Sequence, residues 1–308
     1  MSVEDPDIMI CFIVLNYNGF VETDKLLQSF RKWDLDKFPF RVIVVDNAST
    51  DDSFSRLKKI YSNTEYIDVI NSQYNGGYSY GNNYGARYAI NKYRPGYLAI
   101  VNPDVEFDQE TVSELLKTFL VNNRIALCAP VMKSTGGKYS IYAQKLPRYV
   151  DDLYACAIRN KPKSIIKEGY STLDKNGTYI LTDMLPGSFF LVRTDYFSKV
   201  GMFDEHVFLY CEERILGKKI KDAGLKAILR ADLFYVHAHS VTISRTYSIL
   251  DRWKQIFQSR LYYQKEYLKV DMIRLMLLKI AMKWYLIKLK ILVVGKRNCF
   301  DEVKDESS

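Results

Sequence analysis

Two carboxylates stand where apolar segments of the chain end, and these residues have the clearest potential for chemistry. Asp104 closes the run Ile100-Val101-Asn102-Pro103-Asp104, and Asp46 closes the run Val42-Ile43-Val44-Val45-Asp46. An acid at the end of a strand can hold a divalent cation against a diphosphate, because hard cations prefer oxygen ligands and keep phosphate oxygens in their shell. Ligands of open parallel sheets bind beyond the carboxyl ends of the strands. We therefore expect Asp46 and Asp104 to face one crevice.

The segments that would position these acids alternate between strand and helix patterns along residues 8 to 131. Short apolar runs predict strands, and apolar positions three or four residues apart predict helices. The predicted order is strand 8–15, helix 22–33, strand 41–46, helix 53–61, strand 66–70, helix 79–91, strand 97–101 and strand 125–131. This alternation predicts an α/β fold in which a Rossmann-like, mostly parallel sheet is flanked by helices.

Residues 133 to 182 are predicted to be rich in loops, because Gly and Pro interrupt every longer pattern. Regular structure resumes with an apolar segment at 188–192 and a helical pattern at 212–223, which ends before a glycine. The adjacent acids Glu212 and Glu213 begin this helix. The strand that follows carries His237 and His239, and alternation of strand side chains places both imidazoles on one face.

Composition limits the class of protein. The chain has 308 residues, and its 48% content of hydrophobic residues is ample for a sizeable core. The five cysteines are scattered and form no C-x-x-C pair, so we expect neither a disulfide framework nor a zinc cage, and a reducing cytoplasm fits. The N-terminal residues are acidic where a signal peptide would be basic, so no export signal is expected.

The net charge of +8 belongs mainly to residues 245 to 297, where basic residues far outnumber acids. Such a bias suits an anionic surface, either nucleic acid or the inner leaflet of a membrane. Basic residues interleaved with aromatics can bind single strands, but here bulky aliphatic residues lie between them at helical spacing. We therefore expect no nucleic-acid partner.

Residues 246 to 296 are predicted to form two long helices. In the second, an uncharged arc about 100° wide is bordered by lysines and arginines. A spanning helix needs about 20 apolar residues, and charges interrupt every stretch, so we expect this helix to lie in the membrane interface. Packing on the protein's own core or on a homodimer partner is the alternative. The arc consists of Ile273, Met276, Leu277, Ile280, Trp284, Ile287, Ile291 and Val294.

An ordered set of motifs from about Ile8 to Ser240 resembles the family 2 glycosyltransferases, most closely their bacterial rhamnosyltransferase-like branch. The resemblance implies the A-type glycosyltransferase fold over residues 1–245, with a nucleotide-binding half at about 1–131 and an acceptor half at about 132–245. The helical pattern described above makes 246–308 a separate C-terminal amphipathic helical region. The motifs are Ile13-Val-Leu-Asn-Tyr-Asn-Gly19, Val44-Val-Asp-Asn-Ala-Ser-Thr-Asp51, Asn75-Gly-Gly-Tyr-Ser-Tyr-Gly-Asn-Asn83, Asn102-Pro-Asp-Val105, Gly201-Met-Phe-Asp-Glu205 and Tyr210-Cys-Glu-Glu213.

The resemblance assigns the first half of these motifs to the nucleotide of the donor. Asn16 to Asn18 would close the first strand over the nucleotide, and Asp46, followed by Asn47, would accept a hydrogen bond from an N–H of a pyrimidine base. A simple helix cap is the alternative for Asp46. The loop beside the base and ribose would contain Asn75, Gly76, Gly77 and Asn83, with glycines allowing close approach of the ligand; a plain turn is the alternative there.

The same resemblance makes Asp104 a metal ligand, with Asn102 in the place of the first acid of the family's acidic motif. The expected cation is Mg²⁺ or Mn²⁺, which would bridge the two phosphates and stabilise the leaving nucleoside diphosphate. The family often has a histidine near this site, so His237 or His239 is expected to bind the metal through a neutral ring nitrogen. The structural alternatives are a surface turn at Asp104 and histidines that stabilise the fold without binding a ligand.

Glu212 and Glu213 occupy the position where the family usually has Glu-Asp, the pair that supplies the catalytic base. An inverting transfer needs one carboxylate to take the proton of the acceptor hydroxyl. We assign that base to Glu213, with Glu212 or Asp204 as alternatives. The structural alternative is that both acids only complement the dipole at the N-terminus of the helix.

The function implied by the resemblance is a metal-dependent, inverting glycosyltransferase. It would move rhamnose from dTDP-rhamnose to a hydroxyl of a lipid-linked or growing cell-surface polysaccharide, working peripherally on the inner face of the cell membrane. The alternative donors are UDP-linked sugars, namely galactose, galactofuranose, glucose or N-acetylglucosamine. A nucleotidyltransferase is less favoured, because the segment Asn16-Tyr17-Asn18-Gly19 lacks the basic residue of a phosphate loop.

Overall fold

The computed structural model describes residues 9–137, 139–140, 144–157, 171–238 and 248–305. Its contacts divide the chain into two compact units. The first unit consists of Met1–Leu146 and Ser164–Arg245, and the second of Pro147–Lys163 and Thr246–Ser308.

The first unit begins with four parallel strands in the order β3-β2-β1-β4. Residues of β1 and β2 are almost wholly buried, as expected for strands covered on both faces. The predicted strands and connecting helices of this part are confirmed, with small shifts at their ends. The elements are β1 (Ile10–Asn16), α1 (Phe20–Phe30), β2 (Phe40–Asp46), α2 (Ser53–Tyr61), β3 (Ile67–Asn71), α3 (Gly77–Tyr93) and β4 (Tyr97–Val101).

Beyond β4 the sheet also contains antiparallel strands, and it remains the central sheet flanked by helices that the sequence predicts. Strand β9 inserts between β4 and β6 and runs antiparallel to both. Strand β10 is again parallel to β6 and carries β5 and β8 as antiparallel partners. The elements are β5 (Val105–Glu106), α4 (Gln109–Val121), β6 (Ile125–Ser134), β7 (Tyr139–Ser140), β8 (Tyr179–Thr182), β9 (Phe189–Arg193), α6 (Thr194–Lys199), α7 (Glu212–Asp222) and β10 (Lys226–His237).

The core of the first unit lies on both faces of this sheet. Alternate residues of β1 supply the two layers, with Phe12 on one face and Ile13 on the other. On the first face, the rings of Phe12, Phe30 and Trp33 pack edge to face or tilted, with centroids 4.6 to 5.4 Å apart. This two-sided burial fixes the strand ends at which the chemically capable residues lie.

The second unit is helical. It contains α5 (Tyr149–Ala157), α8 (Ile249–Tyr262), a π-helical segment (Tyr263–Tyr267) and α9 (Met272–Asp305), so the two predicted C-terminal helices are confirmed. Its small core contains Cys156, Phe257, Leu278 and Met282. None of the helices in the described ranges combines the length and the apolar character that crossing a bilayer requires.

Candidate active site

Asp46 is completely buried at the end of β2, where both of its carboxylate oxygens accept hydrogen bonds from the protein. Its Oδ1 accepts from Asn16 Nδ2 at 2.8 Å and from Ser49 Oγ at 2.6 Å. Its Oδ2 accepts from the Ser49 amide at 2.9 Å and from Asn71 Nδ2 at 3.2 Å. A carboxylate has about four acceptor positions, so a base could reach Asp46 directly only if one of these donors, such as Asn71, moved aside.

The neighbouring amides are also engaged within the protein. Besides its bond to Asp46, Asn16 accepts from Thr23 Oγ1 at 2.8 Å. Asn47 donates to Asn75 Oδ1 at 3.0 Å and to the Gly77 carbonyl at 3.1 Å. These two side chains therefore hold the strand ends and the following loop in place. Asn18 has a positive φ of 51° and is hydrogen-bonded through its side chain to Thr50 and through its amide to Ser49 Oγ.

The glycines of the loop at Asn75 allow other parts of the chain to come close to the loop backbone. Gly77 has a φ of +86°, and a Cβ there would lie 2.0 Å from the Phe208 carbonyl oxygen. A Cβ on Gly76 would lie 2.4 Å from the ring of Tyr80. The motif predicts that these glycines make room for the ligand, whereas the nearest atoms at both positions belong to the chain itself.

Asn83 lies one turn and a half further along α3 and binds the turn that precedes α7. Its Nδ2 donates to the Phe203 carbonyl at 3.0 Å and to Glu205 Oε1 at 2.8 Å, and its Oδ1 accepts from the Phe203 amide at 3.1 Å. The side chain predicted to face the base and ribose thus joins α3 to the segment leading to Glu212 and Glu213.

Asp104 and His237 come together at adjacent strand ends, because His237 of β10 is paired with Val105 of β5. Asp104 Oδ1 lies 3.2 Å from His237 Nε2, and both side chains are nearly buried. Two ligands at right angles on one cation, with bonds of about 2.1 Å, are about 3 Å apart, so this pair fits a shared divalent ion. His239 lies outside the described residues.

The described residues supply few ligands for such an ion. In the ranges that the structure describes, no group of three or more His, Cys, Asp or Glu side chains could enclose a metal. The donor set of one carboxylate and one imidazole suits a cation that takes its other ligands from phosphate oxygens and water, which is how Mg²⁺ is usually held beside a phosphorylated substrate. The residues present therefore fit the cation that the sequence predicts.

Glu212 and Glu213 follow two consecutive residues in left-handed conformation, Tyr210 (φ 71°) and Cys211 (φ 69°), which turn the chain into α7. Glu212 is 4% exposed, and its Oε1 has no hydrogen-bond partner among the described residues. Burial, with a contribution from the neighbouring Glu213 carboxylate, raises the pKa of Glu212 to about 8. Glu212 is therefore mainly protonated at neutral pH.

Glu213 is less buried than its neighbour and has partners that favour its ionised form. Burial raises the pKa of Glu213, but hydrogen bonds from main-chain N–H groups, including that of Gly187, and the charge of Arg214 oppose the shift. A Cβ on Gly187 would lie 2.9 Å from Glu213 Oε1, so the glycine is what admits the carboxylate at this position. Of the two acids, Glu213 has the environment better suited to a base.

A pocket of about 370 Å³ joins these elements and lies at the lower end of the range for small-molecule sites. It brings together four of the predicted site residues, Asn102, Glu212, Glu213 and His237. Asp104 is not part of the lining, but its Oδ1 lies 3.2 Å from Nε2 of His237. Asp204, the alternative base, is not in its lining and accepts hydrogen bonds from His206. Asn16, Asn18, Asp46, Asn47, Asn75, Gly76, Gly77 and Asn83 do not line it either.

The pocket also contains residues that the sequence analysis did not select. Tyr78 lies in its wall near both glutamates, and burial, followed by the charges of Glu213 and Glu212, raises the pKa of its phenol. Ser188 and Tyr235 share a hydrogen bond of 2.6 Å beneath the same wall. The signal for Tyr78 was its place directly after the Gly76-Gly77 pair, where the backbone approaches another segment.

Comparison with known proteins is consistent with this geometry. The family model described as "Glycosyl transferase family 2" matches residues 11–201, more than half of the chain. Rhamnosyltransferase WbbL of Escherichia coli (strain K12) is 27% identical over 228 residues, covering 71% of this chain and 79% of the relative. N-acetylglucosaminyl-diphospho-decaprenol L-rhamnosyltransferase of Mycobacterium tuberculosis is 24% identical over 220 residues, covering 66% and 68%.

Solved structures share the fold at low sequence identity. A mannosyltransferase, PcManGT from Pyrobaculum calidifontis in complex with GDP-Man and Mn²⁺, has a TM-score of 0.56 at 15% identity, with 94% of this chain and 75% of that chain covered. GalNAc-T7 with UDP, GalNAc and Mn²⁺ has a TM-score of 0.60 at 13% identity, covering 95% and 58%. S. aureus TarS 1-349 with UDP has a TM-score of 0.54 at 19% identity, covering 87% and 68%. The predicted A-type glycosyltransferase fold is confirmed.

Proposed function

The chain belongs to glycosyl transferase family 2, and from this premise we propose that it is an inverting rhamnosyltransferase. The donor is dTDP-rhamnose, and the acceptor is a hydroxyl of a lipid-linked or growing cell-surface polysaccharide. Two curated relatives named as rhamnosyltransferases support the donor sugar. The bacterial polysaccharide acceptor is supported by the lipid diphosphate in the name of the mycobacterial relative.

One observation carries the proposal: Glu213 and His237 line a single pocket, and the Asp104 carboxylate lies 3.2 Å from His237. A glycosyl transfer needs a base for the acceptor and a site for the diphosphate of the donor within reach of the same sugar carbon. In our proposal Glu213 is that base, the Asp104–His237 pair marks the site of the diphosphate, and Asn102 also lines the pocket.

In this reaction Glu213 takes the proton of the acceptor hydroxyl while its oxygen attacks the anomeric carbon opposite the leaving group. The bond from that carbon to the diphosphate oxygen breaks, and both bonding electrons leave with the nucleoside diphosphate. A divalent cation, Mg²⁺ or Mn²⁺, held by Asp104 and His237, would neutralise charge on the departing diphosphate. Burial and the neighbouring Glu213 carboxylate raise the pKa of Glu212, which favours the protonated form of Glu212 beside the base.

The donor nucleotide extends, in our proposal, from the pocket along the ends of β1 and β2. Asp46 accepts the N–H of the pyrimidine once Asn71 has moved aside, since their hydrogen bond of 3.2 Å is the longest of the four at this carboxylate. Asn16, Asn47 and Asn75 support the loop around this position through the hydrogen bonds described above.

A lipid-linked acceptor requires the enzyme to work at a membrane surface. We therefore propose a peripheral location on the cytoplasmic face of the cell membrane. The cationic C-terminal helix supports this location.

A donor screen tests the proposed function. Purified protein with Mn²⁺ is offered dTDP-rhamnose, UDP-galactose, UDP-galactofuranose, UDP-glucose and UDP-N-acetylglucosamine, and release of nucleoside diphosphate is measured with and without polyprenyl-diphosphate-linked acceptors. The expected result is turnover with dTDP-rhamnose that depends on the acceptor and is lost in Glu213→Gln. Preference for a UDP-sugar would overturn the donor assignment, and turnover that persists in Glu213→Gln would overturn the assignment of the base.

A further inference from the structure

Helix α9 has two apolar faces, although a helix of a globular protein usually needs only one. The first face packs inside the second unit, where Leu275, Leu278, Met282 and Leu289 are buried. These positions recur at three, four and seven residues, so they form one continuous stripe. This stripe is sufficient to pack α9 within its own unit, so the packing does not require a second apolar face.

The second face points to solvent. Its seven side chains are between 46% (Ile280) and 69% (Ile273) exposed, and all are large and apolar. Their spacing of three or four residues places them on one stripe, about 27 Å long at 1.5 Å per residue. Exposed apolar patches of this size mark interaction sites. The stripe, called the outer face below, consists of Ile273, Met276, Leu277, Ile280, Trp284, Ile287 and Ile291.

The sequence predicts that this set lies in a membrane interface, with packing on the protein's own core as an alternative. The residues of α9 that pack on the core form a different stripe of the helix, so the predicted set is not part of that core. The side chain of Val294, the last member of the predicted arc, is outside the described part.

Charge determines which partner fits the outer face. Between Asp271 and Asp301 the chain has no acidic residue, whereas it has seven basic ones. Lys279, Lys283 and Lys290 border the outer face on one side and Lys288 borders it on the other, and all four are exposed. The partner must therefore offer an apolar layer beneath a layer of negative charge. The basic residues are Arg274, Lys279, Lys283, Lys288, Lys290, Lys296 and Arg297.

We propose that α9 binds the surface of an anionic phospholipid bilayer. The helix lies parallel to the membrane, with the outer face among the upper acyl carbons and the lysines at the phosphates, where their long side chains can reach outward. Trp284 suits the boundary between these layers, because indole combines a large apolar ring with one N–H donor. This inference deepens, and rests on, the membrane location proposed above.

A second copy of the chain fits the outer face less well. A twofold contact would place the same patch on both sides, so lysine borders would meet lysine borders without an acid on the helix between residues 271 and 301 to offset them. Nucleic acid could satisfy the lysines, but phosphates and sugars would leave the seven apolar side chains without an apolar partner.

Vesicle flotation tests the proposal with the full chain and without donor or acceptor. Vesicles of phosphatidylcholine alone are compared with vesicles containing 30% phosphatidylglycerol, a composition chosen at roughly the anionic content that attracts basic segments. The variants are the triple change Ile280→Ser, Trp284→Ser and Ile287→Ser, and the triple change Lys279→Gln, Lys283→Gln and Lys290→Gln. The matched control replaces Val21 and Leu120 by Ser, since these apolar side chains are even more exposed, at 71% and 79%, but belong to the first unit.

We expect wild type and control to bind anionic vesicles at least tenfold more strongly than neutral ones. The serine variant should lose at least tenfold in binding with an unchanged circular dichroism spectrum, and the glutamine variant should lose the preference for anionic lipid. Equal binding of wild type and serine variant would overturn the proposal, as would equal binding to both kinds of vesicle. A dimer in sedimentation that disappears in the serine variant would replace the membrane by a second copy.

The outcome is separable from that of the proposed reaction. Donor hydrolysis in solution should be the same in wild type and in both triple variants, because none of the changed residues belongs to the pocket. Vesicle binding without any transfer activity would remove the proposed reaction but keep the membrane surface, whereas transfer without vesicle binding would do the reverse.

Discussion

The phenol of Tyr78 donates a hydrogen bond of 2.5 Å to the main-chain carbonyl of Gly187. The N–H of the same glycine interacts with the Glu213 carboxylate, and the Tyr78 amide donates to the Phe208 carbonyl at 2.9 Å. The first turn of α3, which follows directly on the Asn75 loop, thus contacts both segments that flank the proposed base. Tyr78 is in our view a positioning residue, since it acts on Glu213 through Gly187.

Replacing Tyr78 by Phe should lower kcat about three- to tenfold and leave the donor KM nearly unchanged, because one hydrogen bond that orients the base is lost. The acid side of the kcat–pH profile should also shift, since the phenol lies near both glutamates. Tyr80→Phe is the matched control, because that phenol donates to the Ser72 carbonyl at 3.0 Å, away from Gly187. Equal kcat values in the two variants would contradict the positioning role.

Glu213→Gln should reduce kcat by at least a factor of about 100, the lower bound for loss of a general base, while donor affinity in calorimetry stays within about threefold. Glu212→Gln should reduce kcat less than about tenfold, because Glu212 is already protonated at neutral pH and contributes no base. The two substitutions introduce the same glutamine side chain at adjacent positions, so each variant is the matched control for the other. If Glu212→Gln were the more damaging change, the base would be Glu212.

The stability of the protein should depend on pH through Glu212. Its pKa is raised from 4.5 to about 8 in the folded protein, so the unfolded state loses this proton first as pH rises. The folded state binds more protons over that range, and the free energy of unfolding therefore decreases between about pH 4.5 and pH 8. The Glu212→Gln variant lacks this pH dependence, because glutamine does not titrate. The difference in Tm between Glu212→Gln and wild type, measured by calorimetry, should increase in favour of the variant from pH 5 to pH 8; a constant difference would show that burial does not perturb Glu212.

The N-terminal half was predictable because its signals are local. Apolar runs that end in Asp46 and in Asn102-Pro103-Asp104 define β2 and β4, and parallel pairing then places both ends at one edge. Helix α4 was missed, although Asp108 caps it by accepting from the Thr111 amide at 2.8 Å. The direction of β9 could not be predicted, because the sequence of a buried strand does not specify which neighbours it pairs with.

For the candidate site, the sequence indicated which residues have the chemistry for catalysis or binding, but not which residues each of them contacts. Asp104 and His237 are 133 positions apart, and only the pairing of β10 with β5 brings them within 3.2 Å. Asn83 belongs to a nucleotide motif by sequence, yet its hydrogen bonds all go to the turn at Phe203 and Glu205. Long-range contacts of this kind arise from topology, which periodicity does not encode.

Binding of the cation should depend on Asp104 more than on any acid nearby. Asp104→Asn removes the charge but keeps the shape of the side chain, so it should raise the Mn²⁺ concentration needed for half-maximal turnover at least tenfold. Mn²⁺ binding in the presence of dTDP, followed by electron paramagnetic resonance, should weaken to a similar extent and provides a reading that does not depend on turnover. Glu106→Gln is the matched control, because Glu106 is two residues away in the same segment but is exposed and paired with Lys25. His237→Ala should resemble Asp104→Asn, since the two side chains would share one ion. Wild-type turnover that persists in excess chelator, or Mn²⁺ affinity that is unchanged in Asp104→Asn, would contradict the assignment of the metal site.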